Sequence, residues 1–256
     1  MLENYIYIFL AGAVQGLTEF LPVSSSGHLI ILNSFLYPFA SSAIKLDFEI
    51  MLHFGTVFSI IIYYKKDLFN LLIDLFSKRK ENLIFLIIIG CIPISLIGLS
   101  FKDIIAQSLN DVSILPYTFM FTSLCLFMTR YNYEHKKITF NVVLIMALFQ
   151  ILALLPGISR SGITISILLM LGVNMKEAVK FSFLMAIPLI LGATFVGIEF
   201  NDYNYSSIKY MLWGSFISFL FGWIAIYLTN YLLSNSKYWI FSIYCFIISI
   251  ITYFII

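Results

Sequence analysis

The sequence predicts an all-α protein that crosses a membrane several times, and three observations lead to this fold class. Hydrophobic residues make up 61% of the 256 residues and charged residues only 11%, against about 25% charged in soluble domains. Apolar runs close to the roughly 20 residues that cross a bilayer recur along the chain. Two further apolar segments are interrupted by proline, serine and glycine. We therefore expect one membrane domain over residues 1–256, and no pattern indicates nucleic-acid binding.

Uninterrupted apolar runs predict about six transmembrane helices. They lie at about 47–64, 83–101, 113–130, 177–198, 210–230 and 238–256. The loops at 65–80 and 130–137 carry most of the basic charge, whereas 199–208 contains two acidic residues and no Lys or Arg. The positive-inside rule then places the first two loops in the cytoplasm and the third outside, with both termini outside. The amino end lacks the basic region of a cleavable signal peptide, so we expect Met1 onward to remain.

The interrupted segments, about 5–40 and 141–173, are predicted to be re-entrant helix–loop–helix elements, because a simple span would leave backbone groups unpaired at the breaks. They resemble each other. Gln15, Leu21-Pro22, Ser24, Ser26 and Gly27 correspond to Gln150, Leu155-Pro156, Ser159, Ser161 and Gly162. Each half has three spans, an odd number, so repeat one (about 1–112) and repeat two (about 113–256) should form an inverted repeat. In such folds the breaks meet near the midplane, where we expect the functional site.

Polar side chains cluster at the first break. Gln15 and Glu19 are four residues apart and share one face of the helix that Pro22 should end. The serines at 24–26 can cap the next helix, which places Ser25 and His28 on one face and His28 within reach of Glu19. An ionisable residue inside a membrane segment indicates a functional site. Glu19, Ser25 and His28 are therefore candidate catalytic residues.

The second break is suited to binding an anion. Pro156 and Gly157 precede serine caps, and the new helix carries Arg160 and Thr164 four residues apart. Helix starts present free N–H groups to anions, and the planar guanidinium of arginine suits phosphate. Arg160 is thus a fourth candidate catalytic residue. The expected phosphate-binding groups are Gln15, Ser24, Ser26, Gly27, Gly157, Ser159, Ser161 and Thr164. No role is assigned to Asp47, Glu49 or His53, which are expected near the outer end of a span.

On these two motifs the chain resembles the undecaprenyl-diphosphate phosphatase family, the type linked to bacitracin resistance. The hallmark residues stand at 15–28 and at 156–162, with Gln15 where many members have glutamate. The resemblance implies hydrolysis of undecaprenyl diphosphate to undecaprenyl phosphate and inorganic phosphate. That reaction recycles the lipid carrier for peptidoglycan synthesis. It also implies a bacterial inner-membrane location, with the active site accessible from the outer, periplasmic side.

The chemistry of the site residues suggests roles that fit this reaction. Arg160 and the Ser-Gly turns would hold the diphosphate, and Glu19 would organise it alone or through a divalent cation, Mg²⁺ or Ca²⁺. His28 would be a general base or nucleophile, with Ser25 as the alternative nucleophile that His28 activates. Membrane lipids are expected partners, and homo-oligomer formation is left open. The alternative function is a secondary transporter or flippase of a lipid phosphate or another anion, because carriers share the inverted-repeat plan.

Overall fold

The computed structural model describes residues 2–36, 45–75, 83–108, 111–131, 136–197, 205–233 and 238–255. Within these ranges the regular structure is helical, apart from one isolated bridge between Lys136 and Val173. The predicted all-α fold class is therefore confirmed.

Four of the predicted spans are helices long and apolar enough to cross a bilayer. They comprise α5 (Leu83–Ser100), α10 (Met175–Gly197), α11 (Tyr205–Leu233) and the stretch Tyr238–Ile255, which contains α12 (Phe241–Ile255). Helices α3 (Lys45–Tyr63) and α4 (Lys65–Leu75) meet at a bend of 76° and make a fifth span when the bent pair is counted as one span. The run predicted at 113–130 contains α7 (Leu115–Met128), which is shorter than these spans. A short helix, α6 (Lys102–Ser108), follows α5.

Both segments predicted to be interrupted consist of two helices with a break. In the first, α1 (Leu2–Phe20) stops two residues before Pro22, and α2 begins at Ser25 and ends at Leu36. In the second, α8 (Phe140–Gln150) continues as a 3₁₀ turn to Leu154, and α9 (Arg160–Met170) follows the break. Proline ends a helix because it lacks an N–H and disfavours the α conformation in the preceding residue. The breaks therefore lie where Pro22 and Pro156 predict them.

The two breaks use the same cap. The Ser24 hydroxyl accepts a hydrogen bond from the Gly27 amide at 3.3 Å, and the Ser159 hydroxyl accepts one from the Gly162 amide at 3.0 Å. A serine in this position satisfies one of the amides that the first helical turn leaves without a backbone partner. The first two residues of α2 and α9 keep amides without an intrahelical acceptor. The opposite orientation of the two halves remains a prediction, because the loop residues 78–80 and 199–202 lie outside the described residues.

Helix packing encloses α9 and brings distant parts of the chain together. Residues 161–169 are all buried, and α9 packs against α7, α8 and α10. α1 makes its most extensive contacts with α11, which also lies along α3, while α5 packs on α8 and α10 and α7 packs on α12. A helix buried on every side can present polar groups only to other protein groups or to a cavity. The start of α9 is therefore positioned from several directions.

Candidate active site

The two breaks touch each other. The Ser161 hydroxyl, at the start of α9, lies 3.4 Å from the carbonyl oxygens of Glu19, in the last turn of α1, and of Leu21, just after α1. A Cβ atom on Gly27 would come within 3.0 Å of the Gly157 Cα atom and 2.6 Å of the Phe119 ring. The first turn of α2 can approach the second break this closely because residue 27 has no side chain. The breaks thus meet, as the sequence predicts.

Left-handed backbone occurs at both breaks. Gly157 has φ of +88°, and a Cβ atom there would lie 2.0 Å from the Thr118 hydroxyl oxygen. The Gly157 carbonyl accepts a hydrogen bond from the Thr122 hydroxyl at 3.1 Å. In the first break Ser24 has φ of 69°, a conformation that a non-glycine residue rarely adopts. Such strained backbone often occurs at functional sites, where the surrounding packing maintains it.

An ion pair links the two breaks. The Arg160 Nη2 atom lies 2.7 Å from Glu19 Oε1, and the Glu19 residue is 8% exposed. The Arg160 Nη1 atom donates to the carbonyl oxygen of Ser182 on α10 at 3.1 Å. Two residues that are 141 positions apart therefore compensate each other's charge inside the protein. The guanidinium stands at the amino end of α9, where the helix dipole also favours an anion.

Glu19 has three further partners. Its Oε2 atom accepts hydrogen bonds from Ser25 Oγ at 2.8 Å and from Gln15 Nε2 at 3.0 Å. The His53 Nδ1 atom lies 3.2 Å from the same oxygen and 2.7 Å from Gln15 Nε2. Gln15, Glu19, Ser25 and Arg160 are thus brought together as expected, and His53 joins them.

His53, to which the sequence analysis assigns no role, therefore contacts two candidate site residues. His53 lies on α3, with Glu49 one helical turn earlier. Glu49 Oε1 accepts a hydrogen bond from Asn33 Nδ2 at 2.9 Å, so this side of α3 faces α2 as well as α1. The spacing of four residues between two polar side chains on an apolar helix was the available signal. It marks a face turned toward protein rather than lipid.

The His28 ring has hydrogen-bond partners outside this cluster. Its Nδ1 atom is 2.7 Å from the Ser24 carbonyl oxygen, and its Nε2 atom is 2.7 Å from the Tyr244 hydroxyl on α12. The expectation that His28 approaches Glu19 and activates Ser25 differs from this arrangement, in which Ser25 bonds to Glu19. The physical reason is helix geometry, since residues three apart differ in direction by about 60°. On α2 that rotation turns Ser25 toward α1 and His28 toward α7 and α12.

Two predicted phosphate ligands mainly serve the packing of α9. Thr164 is fully buried, and its hydroxyl bonds to the Arg160 carbonyl oxygen at 2.8 Å and to the Ser182 hydroxyl at 2.7 Å. The bonds of the Thr164 hydroxyl thus go to protein groups, and a direct phosphate contact of Thr164 stays a prediction. Ser159 lies 2% exposed and uses its hydroxyl as the cap of α9. Thr164 contributes by fixing α9 to the α10 segment that binds Arg160.

The donor set does not fit a resident divalent cation. Among the described residues, no group of three or more His, Cys, Asp and Glu side chains is arranged to hold a metal ion. Both oxygens of Glu19 already have protein partners, and one of these partners is the positive Arg160. Magnesium and calcium sites need several oxygen ligands.

Fold and site together define a multi-pass membrane protein with a polar site, suited to an anionic group, between two broken helices. The chain belongs to the family described as bacitracin resistance protein BacA, which matches residues 8–251. It is 38% identical to the undecaprenyl-diphosphatase of Thermosipho africanus, covering 95% of this chain and 97% of that protein. It is 34% identical to the undecaprenyl-diphosphatase of Halothermothrix orenii (97% and 96% covered) and 33% identical to that of Borrelia recurrentis (100% of both). The family resemblance of the two motifs is thus confirmed.

Proposed function

We propose that this chain hydrolyses undecaprenyl diphosphate to undecaprenyl phosphate and inorganic phosphate, which returns the lipid carrier to peptidoglycan synthesis. The relatives that carry this activity in their names match the chain over nearly its whole length. The observation that carries the proposal is the Glu19–Arg160 pair, which joins the two breaks at 2.7 Å. Phosphoryl transfer needs mainly positioning and compensation of charge, and this site supplies both.

The diphosphate would bind by replacing Glu19 as the anionic partner of the Arg160 guanidinium. A guanidinium can bond two phosphate oxygens at once, and the remaining amides at the starts of α2 and α9 favour the same charge. Ser182 would keep Arg160 in place during this exchange, because its carbonyl oxygen accepts from the other guanidinium nitrogen. The polyprenyl tail needs only an apolar surface, and the outward faces of α11 and α12 expose many large hydrophobic side chains.

The Ser25 hydroxyl is the proposed nucleophile. Its proton already points to Glu19 Oε2 at 2.8 Å, so Glu19 can accept it as the Ser25 oxygen attacks the terminal phosphorus. The bond to the bridging oxygen breaks, and undecaprenyl phosphate leaves. Water then gives a proton to His28 as it attacks the phosphorus of the phosphoserine, the bond between phosphorus and the Ser25 oxygen breaks, and Glu19 returns its proton to that oxygen as inorganic phosphate is released. Gln15 and His53 would hold the Glu19 carboxylate during both steps.

A divalent cation, Mg²⁺ or Ca²⁺, is proposed to arrive with the diphosphate rather than to reside in the protein. Magnesium is commonly bound through one or two carboxylates together with substrate phosphates. The proposed location is the bacterial inner membrane, with the site accessible from the outer side. This location is supported by the family and by the distribution of basic residues along the sequence.

The test is phosphate release from undecaprenyl diphosphate by the purified protein in detergent, with and without EDTA. Ser25→Ala and His28→Ala should each lose at least about a hundredfold in rate, the range for a nucleophile or general base. Ser34→Ala is the matched control, because Ser34 is an exposed serine on the same helix. A parent protein that binds the lipid without releasing phosphate would favour the transporter alternative, which no comparison supports. A Ser25→Ala variant with the parent rate would exclude Ser25 as the nucleophile.

A further inference from the structure

The ring of His28 is held in one tautomer. Its Nδ1 atom lies 2.7 Å from the carbonyl oxygen of Ser24, four residues earlier in the chain. A carbonyl oxygen only accepts hydrogen bonds, so Nδ1 must carry a proton. In the neutral ring the lone pair is then on Nε2, and any proton that His28 accepts must go to that atom.

The hydroxyl of Tyr244 faces that lone pair. It lies 2.7 Å from His28 Nε2, and Tyr244 belongs to α12, which is 216 residues away in the chain. The phenol keeps its proton near neutral pH, so it donates to the neutral ring and can accept from the ring once Nε2 is protonated. One hydroxyl therefore fits both states of His28.

Aromatic contacts fix the plane of the ring. The rings of His28 and Tyr244 are nearly parallel, at 11°, with centroids 5.7 Å apart. Phe119 of α7 meets the His28 ring edge-on at 5.4 Å and 84°. Because α7 and α12 pack on each other, the imidazole is held by two helices that do not contribute to the Glu19 cluster. Its orientation depends on Tyr244 through both the stacked ring and the hydrogen bond.

We propose that Tyr244 is a positioning residue for His28. Its hydroxyl directs the Nε2 lone pair and stabilises the ring in both protonation states, and its ring holds the plane of the imidazole. This inference rests on the proposed role of His28 as the base. In the hydrolysis step the Tyr244 hydroxyl would release Nε2 to the water whose proton His28 accepts.

The experiment compares Tyr244→Phe with Tyr253→Phe in purified full-length protein. Phenylalanine keeps the stacked ring and removes only the hydroxyl, and Tyr253 is a 62% exposed tyrosine on the same helix. One readout is the rate at which diethyl pyrocarbonate modifies His28, followed by peptide mapping, with His53 as internal reference. The reagent attacks an unprotonated ring nitrogen, so removal of one neutral hydrogen bond from Nε2 should raise the rate about threefold to tenfold.

The second readout is turnover. Tyr244→Phe should lower kcat about threefold to tenfold with KM unaltered, whereas Tyr253→Phe should match the parent in both assays. An unaltered rate of His28 modification in Tyr244→Phe would overturn the hydrogen bond, and an unaltered kcat would overturn the positioning role. The modification assay needs no turnover. A protein that modifies as expected but releases no phosphate would therefore contradict the proposed function and leave the His28–Tyr244 contact standing.

Discussion

Replacing Arg160 should separate its contribution to stability from its contribution to catalysis. Arg160→Met leaves the Glu19 carboxylate, 8% exposed, without its cationic partner. Breaking a buried ion pair from one side costs about 3–5 kcal/mol of unfolding free energy. Ser25 and Gln15 still donate to Glu19, so we expect a loss near the lower end, about 3 kcal/mol. The rate should fall at least about a thousandfold, as for arginines that stabilise a transferring phosphoryl group.

Arg160→Lys tests geometry at constant charge. Lysine offers a point charge and cannot bond Glu19 and the Ser182 carbonyl oxygen through one planar group. We expect at least about a tenfold loss of rate with a smaller loss of stability than for Arg160→Met. The measurements are phosphate release and the free energy of unfolding in the same detergent.

A double variant and an exposed ion pair serve as controls. Arg160→Met combined with Glu19→Gln removes both charges, so it should recover most of the stability but none of the activity. Lys180→Met breaks the Lys180–Asp67 ion pair, whose side chains are 39% and 36% exposed, and should cost no more than about 1 kcal/mol. Charge compensation between Glu19 and Arg160 would be refuted if Arg160→Met were as stable as Lys180→Met. It would also be refuted if the loss of unfolding free energy in the double variant equalled the sum of the losses in Arg160→Met and Glu19→Gln.

Two further predictions concern backbone and carboxylate geometry. Gly157→Ala should lower the unfolding free energy by about 3 kcal/mol, because φ is +88° and the new Cβ atom would lie 2.0 Å from Thr118. The measurement is thermal unfolding. Gly192→Ala is the control, because no atom lies within 4 Å of the added Cβ atom there. His53→Leu should lower phosphate release about tenfold, since Glu19 and Gln15 lose a contact at 3.2 and 2.7 Å; a parent-like rate would show that His53 does not support the carboxylate.

Local chemistry made the breaks and their caps predictable from the sequence. Pro22 and Pro156 end helices for reasons that need no tertiary structure, and Ser24 and Ser159 follow as caps. The Glu19–Arg160 pair was also predictable, because each charge inside an apolar segment needs a partner. Two opposite charges inside apolar segments can be paired without knowing how the chain between them folds.

The remaining partners depend on how distant helices pack. His53 is 38 residues from Gln15, and Tyr244 is 216 residues from His28. The spacing of Glu49 and His53 marks one face of α3, but it does not state which helix that face meets, and α12 is apolar over most of its surface. The partners of the His28 side chain were not predictable from the sequence for a related reason. The Ser25 and His28 side chains differ in direction by about 60° around α2, and the position of α7 then decides which groups lie beside His28.

The packing of α1 on α11 has a consequence for biosynthesis. Residues 2–20 leave the ribosome about two hundred residues before 205–233, and α1 cannot reach its main packing partner until then. Glu19 also waits for Arg160, which is made 141 residues later. During this interval a carboxylate sits in an apolar helix without its cation, an expensive arrangement in lipid. The Glu19–Arg160 pair can therefore form only after Arg160 has been made, and the packing of α1 on α11 only later still.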